Sequence, residues 1–237
     1  MKCDAGIYAE SMQSLEHLAV SWRCNSDSSK ASTMQAYMKQ HFLFIGIPTP
    51  QRRDLSKSIL TESKACTIVQ LFDHALRLFN LPEREFHYLA IDLLAHNQSR
   101  FGAEQVPDLL KLVTLKSWWD SVDGLISVLE KVLLRLPADQ VEALMLPCLK
   151  HENKWLRRVA MLHQKSWKKA TVEARLFEYA LVLAADSDFF IRKAIAWALR
   201  EYAKTSPVTV MNFLEQNQSK FSLLTRREAS KHLFRSV

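Results

Sequence analysis

The chain has little of what loop-rich, disulfide-bonded or metal-binding proteins need. Among its 237 residues there are only 4 glycines and 7 prolines, which is sparse for a β-rich or loop-rich protein. The four cysteines, Cys3, Cys24, Cys66 and Cys148, are far apart and form no CxxC or Cys/His ligand pattern. Such cysteines are typical of reduced thiols in a cytoplasmic protein. We expect neither a disulfide framework nor a bound metal.

Signals for membranes and for common catalytic chemistries are also missing. No basic segment followed by an apolar one begins the chain, so a signal peptide is not expected. The most apolar run, 176–185, is short and contains Glu178, which favours a buried helix over a membrane span. There is no Gly-rich phosphate loop, HExxH motif or evident Ser/His/Asp arrangement. We therefore predict no membrane partner and no cofactor, and expect the protein in the cytoplasm.

What the chain does contain is helical periodicity. Apolar residues recur at spacings of three and four, for example at Leu125, Val128, Leu129 and Val132. No run alternates between apolar and polar residues as a half-buried strand does. The sequence predicts an all-α protein.

Candidate helix N-caps recur at a nearly constant interval. They are Asn80, Ser117, Asn153, Asp188 and Thr225, with spacings of 37, 36, 35 and 37 residues. Ser117 with Asp120, and Thr225 with Glu228, match the capping-box pattern. Helix breaks inside each interval leave room for two helices per unit, which is typical of HEAT-type helical solenoids.

We predict a single helical-repeat domain over residues 1–237, an α–α superhelix with a concave basic groove. Residues 1–32 form a first helix that ends in a polar linker. Residues 33–79 form an N-terminal helical cap, which begins with a helix over 33–44. Residues 80–237 form the repeats.

Counting from the predicted caps compares equivalent positions of the repeats. Asp123 places a carboxylate where three other repeats have apolar side chains, and Trp197 is the largest side chain in its column. Arg158 and Lys193 add positive charge to the same face. Trp119 lies four residues before Asp123, so its ring and the carboxylate share one side of a helix. An aromatic ring beside a carboxylate suits a positively charged ligand or transition state.

Each of these features also has a structural interpretation. A tryptophan in a helical repeat is usually part of the core, and an aspartate is usually exposed or associated with a helix cap. Paired basic residues usually lie on a solvated helix surface. The net charge of +7 nevertheless favours a polyanionic partner. The residues alone leave open a non-catalytic DNA- or RNA-binding module and a scaffold that binds acidic proteins.

Several segments resemble the AlkD-type DNA alkylation repair enzymes. They are AYMKQHFLF at 36–44, PEREF at 82–86, KSWWDSVD at 116–123, NKWLRR at 153–158 and the segment 189–205, which contains WALREYAK. These motifs occur in the family's order and at matching spacings. The resemblance runs from about Met34 to near the C-terminus.

This resemblance implies HEAT-like repeats and a DNA glycosylase of base excision repair that excises alkylated purines, such as 3-methyladenine and 7-methylguanine, from duplex DNA. It assigns the catalytic carboxylate to Asp123 and the aromatic cleft residues to Trp119 and Trp197. The groove-lining tyrosine and arginine fall on Tyr37 and Arg158. Further candidates for DNA contacts are Lys39, Lys116, Lys193 and Arg227. We expect a monomer, because the groove must admit a duplex.

Overall fold

The protein is all-helical in the computed structural model, which describes residues 15–232. No strand occurs in that range, where Leu43 and Glu83 form an isolated parallel bridge. The predicted all-α, helical-repeat fold class is confirmed. None of the helices over these residues is long and apolar enough to cross a membrane.

The chain folds into two compact units, one up to Phe101 and one from Gly102 on, and each is described by itself. The described part of the first unit contains α1 (15–24), α2 (Ser28–Tyr37), α3 (Thr49–Leu55), α4 (Lys57–Glu62), α5 (Ile68–Asn80) and α6 (Arg84–Asn97). The described part of the second contains α7 (Val106–Val113), α8 (Trp119–Leu133), α9 (Ala138–Leu149), α10 (Lys154–Leu162), α11 (Glu173–Val182), α12 (Phe189–Ala203), α13 (Pro207–Gln216) and α14 (Leu223–Ala229).

Alternate helices from α6 onward begin at nearly constant intervals. The N-cap residues of α6, α8, α10, α12 and α14 are Glu83, Trp118, Asn153, Asp188 and Ser222, which are 35, 35, 35 and 34 residues apart. The predicted repeat is therefore present, with a more regular period than the sequence pattern indicated. Two predicted caps are confirmed, because Asn153 and Asp188 accept hydrogen bonds from backbone amides two residues on, at 2.9 and 2.8 Å.

The other three predicted N-caps are wrong. Asn80 is the last residue of α5. Ser117 lies in the turn after α7, which ends at Val113, and its Oγ donates to the Val113 carbonyl oxygen at 2.6 Å. Thr225 lies inside α14, where its amide donates to the side chain of the true cap, Ser222, at 3.1 Å. Neither predicted capping box forms.

The first unit departs from the predicted boundaries at α2. Asp27 caps this helix by accepting a hydrogen bond from the Lys30 amide at 3.0 Å, so the helix begins inside the segment predicted as a linker. It ends at Tyr37 and does not continue to Phe44. The reason is local, because Lys39 adopts a left-handed conformation with φ of 54°.

A buried carboxylate holds the loop that follows α2. Glu85 on α6 accepts hydrogen bonds from the amides of Ile45, Gly46 and Ile47, the shortest at 2.8 Å. Gly46 has φ of +96°, and a Cβ atom there would lie 2.1 Å from the Asp27 carbonyl oxygen. Only glycine fits this position. The loop therefore joins the end of α2 to α6 within the first unit.

The second unit packs its helices around an apolar core. Helix α10 packs against α8, α9 and α12, and α12 packs against α14. The predicted apolar stripe of α8, formed by Leu125, Val128, Leu129 and Val132, is buried. At about 100° per residue, Asp123 lies on the opposite side of α8 from the middle of that stripe. The core thus presents this carboxylate away from the interior of the unit.

Candidate functional site

The site begins at the first two turns of α8. Trp119 is its first residue and Asp123 lies one turn further on, as the sequence predicted. Both side chains are partly buried. The Asp123 carbonyl oxygen accepts a hydrogen bond from Ser127 Oγ at 3.0 Å, so this oxygen is used within the helix while the carboxylate stays available for other partners.

Arg158 holds the carboxylate of Asp123 in a two-pronged ion pair. Its Nε donates to Asp123 Oδ1 and its Nη2 to Oδ2, both at 2.8 Å. The third nitrogen, Nη1, donates to the Phe190 carbonyl oxygen at 2.8 Å, which ties α8, α10 and the start of α12 together. The Arg158 side chain is 5% exposed and that of Asp123 is 19% exposed. Such parallel hydrogen bonds fix orientation as well as charge.

The observed N-caps change which residues are equivalent in the repeats. Counted from them, the fifth position of α8, α10, α12 and α14 holds Asp123, Arg158, Lys193 and Arg227. The prediction that Asp123 interrupts a mostly apolar column is therefore wrong, because α8 starts one residue later than expected. One carboxylate and three cations occupy equivalent positions on four helices. The first two of them form the ion pair.

Trp197 belongs to the same cluster. The centroid of its ring lies 6.0 Å from Arg158 Cζ and 4.7 Å from Lys165 Nζ. The sequence interpretation placed Trp197 and Arg158 on one face but overlooked Lys165. No periodic signal marks this lysine, because it lies outside the helices, in the connection that follows α10.

A buried carboxylate also lies near Lys165. Glu130 Oε2 is 3.8 Å from Lys165 Nζ, and the Glu130 side chain is 7% exposed. Burial raises the pKa of Glu130, although the charge of Lys165 and hydrogen bonds with Ser166 act in the opposite direction. The Glu130 carbonyl oxygen also accepts a hydrogen bond from Trp167 Nε1 at 2.8 Å, which anchors this connection to α8.

The predicted DNA-binding residues Lys193 and Arg227 meet at another carboxylate. Glu228 on α14 lies 3.1 Å from Lys193 and 3.7 Å from Arg227. Arg200 and Lys231 also pair with it, at 3.6 and 2.8 Å. The hydrogen bond from Lys231 is the largest cause that lowers the pKa of Glu228, to about 2. Four cations around one carboxylate leave excess positive charge here, and Arg227 is highly exposed.

The remaining predicted residues belong to other elements, two of them in the first unit and one in the turn before α8. Tyr37 ends α2 in the first unit and is 70% exposed. It lines a cavity of about 320 Å³ together with Met34, Phe44 and Tyr88. Lys39 follows in the same unit and is exposed. Lys116 is exposed in the turn between α7 and α8, with a left-handed φ of 43°.

The structure thus brings together Asp123, Arg158 and Trp197, with Trp119 one turn before Asp123 on the same helix. A carboxylate fixed by a guanidinium next to an aromatic ring offers oriented negative charge at a partly exposed position. That arrangement is able to stabilise a developing cation and to orient a water molecule.

Comparisons with known proteins show which family the chain resembles. A family model described as DNA alkylation repair enzyme matches residues 22–233. A solved structure described as a predicted DNA alkylation repair enzyme from Enterococcus faecalis is 35% identical in sequence, with a TM-score of 0.79. The match covers 89% of this chain and 98% of that one. No match to a curated protein was found. The family model spans most of the sequence, and the chain belongs to the DNA alkylation repair enzyme family.

Proposed function

We propose that the protein is a DNA glycosylase of base excision repair. It hydrolyses the N-glycosidic bond of purines alkylated at N3 or N7, such as 3-methyladenine and 7-methylguanine, in duplex DNA. Family membership supports a role in DNA repair. The observation that carries the finer proposal is the carboxylate of Asp123, fixed by Arg158 beside the ring of Trp197.

The chemistry of the substrate matches this arrangement. Alkylation at N3 or N7 makes the purine cationic, so the base departs with the bonding electron pair as a neutral molecule and needs little help from an acid. Positive charge then develops on the deoxyribose, as in the oxocarbenium-like transition states of glycoside hydrolysis. A preoriented carboxylate stabilises such charge without reorganising during the reaction.

The ion pair with Arg158 leaves the carboxylate of Asp123 able to accept further hydrogen bonds. An ionised carboxylate has about four lone-pair sites, and the ion pair uses one on each oxygen. The remaining sites accept hydrogen bonds from the attacking water, whose oxygen bonds to C1′ while its proton passes to Asp123. Trp119 and Trp197 hold the sugar and add attraction between their rings and the cation.

The DNA backbone is bound by the exposed polar and basic residues. We assign this role to Tyr37, Lys39, Lys116, Lys193 and Arg227. Contacts from such residues to phosphates supply affinity without reading sequence.

A second candidate function is a non-catalytic module that binds DNA or RNA. The observation in its favour is the same ion pair, because the guanidinium of Arg158 neutralises the charge that catalysis would use. Both functions predict nucleic-acid binding, and only the glycosylase releases a base.

Base release from a defined lesion separates the two functions. The protein, in excess over a duplex with a single 7-methylguanine, is expected to release the free base, measured by chromatography and mass spectrometry. Asp123→Asn is expected to slow release by about 10²-fold or more. Asp120→Asn, on the same turn of α8, is the matched control and is expected to keep the wild-type rate. Binding of the duplex without release by the wild type would contradict the glycosylase proposal.

A further inference from the structure

Lys165 differs from the other cations near the site in the partners it has. Arg158 donates three hydrogen bonds and Lys154 pairs with Asp188 at 3.0 Å. The ammonium of Lys165 has no hydrogen-bond partner among residues 15–232, where its nearest carboxylate oxygen, on Glu130, is 3.8 Å away. Its side chain is nevertheless only 12% exposed.

This environment provides a countercharge for Lys165 but no hydrogen-bond acceptor for its ammonium. Glu130 supplies a countercharge, and the ring of Trp197 lies 4.7 Å from the ammonium. An ammonium has three N–H donors, and removing it from water without acceptors costs free energy. Glu130 Oε2 is also without a hydrogen-bond partner within the described part of the chain. The pair of Lys165 and Glu130 thus lacks hydrogen bonds, and the ring of Trp197 lies beside its ammonium.

We propose that Lys165 binds a phosphate of the DNA backbone beside Trp197. The proposal rests on the proposed function insofar as duplex DNA is the ligand. A non-bridging phosphate oxygen supplies the strong acceptor that Lys165 lacks. Lysine suits a single phosphate because its ammonium acts as a compact point charge without a preferred plane.

A phosphate bound at this position would also explain how the ring of Trp197 contacts the DNA. The ammonium lies against the ring, so an anion drawn to Lys165 places the adjoining sugar near the indole and the ion pair of Asp123 and Arg158. Lys165 is then a positioning residue that sets where the backbone lies. It takes no part in bond cleavage.

The salt dependence of DNA binding tests the assignment. Affinity for a fluorescently labelled, undamaged duplex is measured by anisotropy over a range of KCl concentrations. Each neutralised phosphate contributes about 0.9 to the slope of log K against log salt. Lys165→Met keeps the apolar stem and removes the charge, so the magnitude of the slope is expected to fall by about 0.9. The loss is expected to be equal for duplexes of different sequence.

Lys169→Met is the matched control. Lys169 lies four residues on, is exposed, and has no ion-pair partner in the described residues. Its loss removes the same charge and is expected to leave the slope unchanged. Lys165→Arg keeps the charge and is also expected to keep the slope. Thermal melts confirm that each variant is folded, and Lys165→Gln replaces Lys165→Met if the latter melts below the assay temperature.

Three outcomes would overturn the assignment. An unchanged slope in Lys165→Met would show that Lys165 contacts no phosphate. An equal decrease of the slope in Lys169→Met would show that the effect of Lys165→Met comes from the net charge of the protein. A loss that varies with sequence indicates a contact to a base edge. The duplex in this experiment is undamaged, so the result does not depend on whether the wild type releases a base. A negative result for Lys165 likewise does not contradict the proposed glycosylase activity.

Discussion

At the scale of single residues, the proposed function depends on the pairing of Asp123 with Arg158. A buried ion pair stabilises a fold little in comparison with apolar residues of the same shape, because both charges are desolvated. Its geometry is therefore better explained by the site, where it fixes a carboxylate on the side of α8 that faces away from the core. Removing one partner of the pair is expected to destabilise the fold, because the remaining charge is left without a partner.

Replacing Arg158 is expected to destabilise the protein as well as to slow catalysis. Arg158→Met leaves the Asp123 carboxylate and the Phe190 carbonyl oxygen without their donor. We expect the free energy of unfolding, measured by urea denaturation, to fall by about 3 kcal/mol. Base release is expected to fall at least about tenfold because the carboxylate loses its orientation. In the double variant with Asp123→Asn, the stability loss is expected to be smaller than the sum of the single losses, and strict additivity would contradict the coupling.

Residue types at the site were predictable from the sequence, but their partners were not. Asp123, Trp119, Trp197 and Arg158 were identified as candidates. The two hydrogen bonds between Asp123 and Arg158 join residues 35 positions apart, and such a contact follows from how α8 and α10 pack. Lys165 is not predictable from the sequence, because only the folded chain brings it close to Trp197 and Glu130.

At the scale of helices and turns, the period was easier to predict than the boundaries. Two short polar side chains near the start of α8 and α14, Ser117 and Thr225, have the composition of caps. In the structure neither is the cap: Ser117 Oγ donates to the Val113 carbonyl oxygen, and the Thr225 amide donates to Ser222 Oγ. Composition thus located these turns to within a few residues. Only backbone geometry distinguished the residue that ends one helix from the residue that begins the next.

Removing a true cap is expected to cost more than removing a false one. Asn153→Ala loses the hydrogen bond from the Trp155 amide, and we expect the free energy of unfolding to fall by about 1 kcal/mol. Ser117→Ala, the control, removes only a donor to a helical carbonyl oxygen and is expected to cost less than about 0.5 kcal/mol. Chemical denaturation of the two variants side by side checks the ranking. Equal losses would contradict the observed start of α8.

At the scale of the whole molecule, buried ionisable groups make stability depend on pH. Burial lowers the pKa of His163 to about 4. Its ring packs against Trp167 and Tyr179, with centroids 5.6 and 5.8 Å away, and Nδ1 is 2.6 Å from the Ala160 carbonyl oxygen. Nε2 has no partner within residues 15–232. The folded protein therefore keeps this imidazole neutral where the unfolded chain, with a pKa of about 6.5, begins to protonate it.

Stability is expected to fall as the solution is acidified from pH 7 to pH 5. The unfolded chain binds a proton to His163 in this window and the folded protein does not, so protons favour unfolding. The contribution is fully present above about pH 6.5 and is lost progressively towards pH 4; at pH 5 the loss is about 2 kcal/mol. Urea midpoints of His163→Phe are expected to vary less with pH than those of the wild type. His96→Gln, which changes an exposed histidine, is expected to retain the wild-type dependence.

Glu228 affects the free energy of unfolding at a lower pH than His163 does. Because its pKa in the folded protein is about 2, its ion pairs with Lys193 and Lys231 persist through the window in which His163 titrates. Its contribution to stability is present above about pH 4.5 and is lost as the pH falls towards 2. The two groups are therefore separable by the pH at which each acts.

The sequence by itself determined the all-α class, a repeat of 35 to 37 residues and the residue types available for chemistry. These properties follow from local periodicity, which neighbouring residues report directly. Tertiary structure alone decided that Asp123 is bound by Arg158, that Lys165 lies against Trp197, and that Lys193 and Arg227 share Glu228. The reason is physical: these pairings depend on angles between packed helices and on desolvation, neither of which is encoded within a single helix.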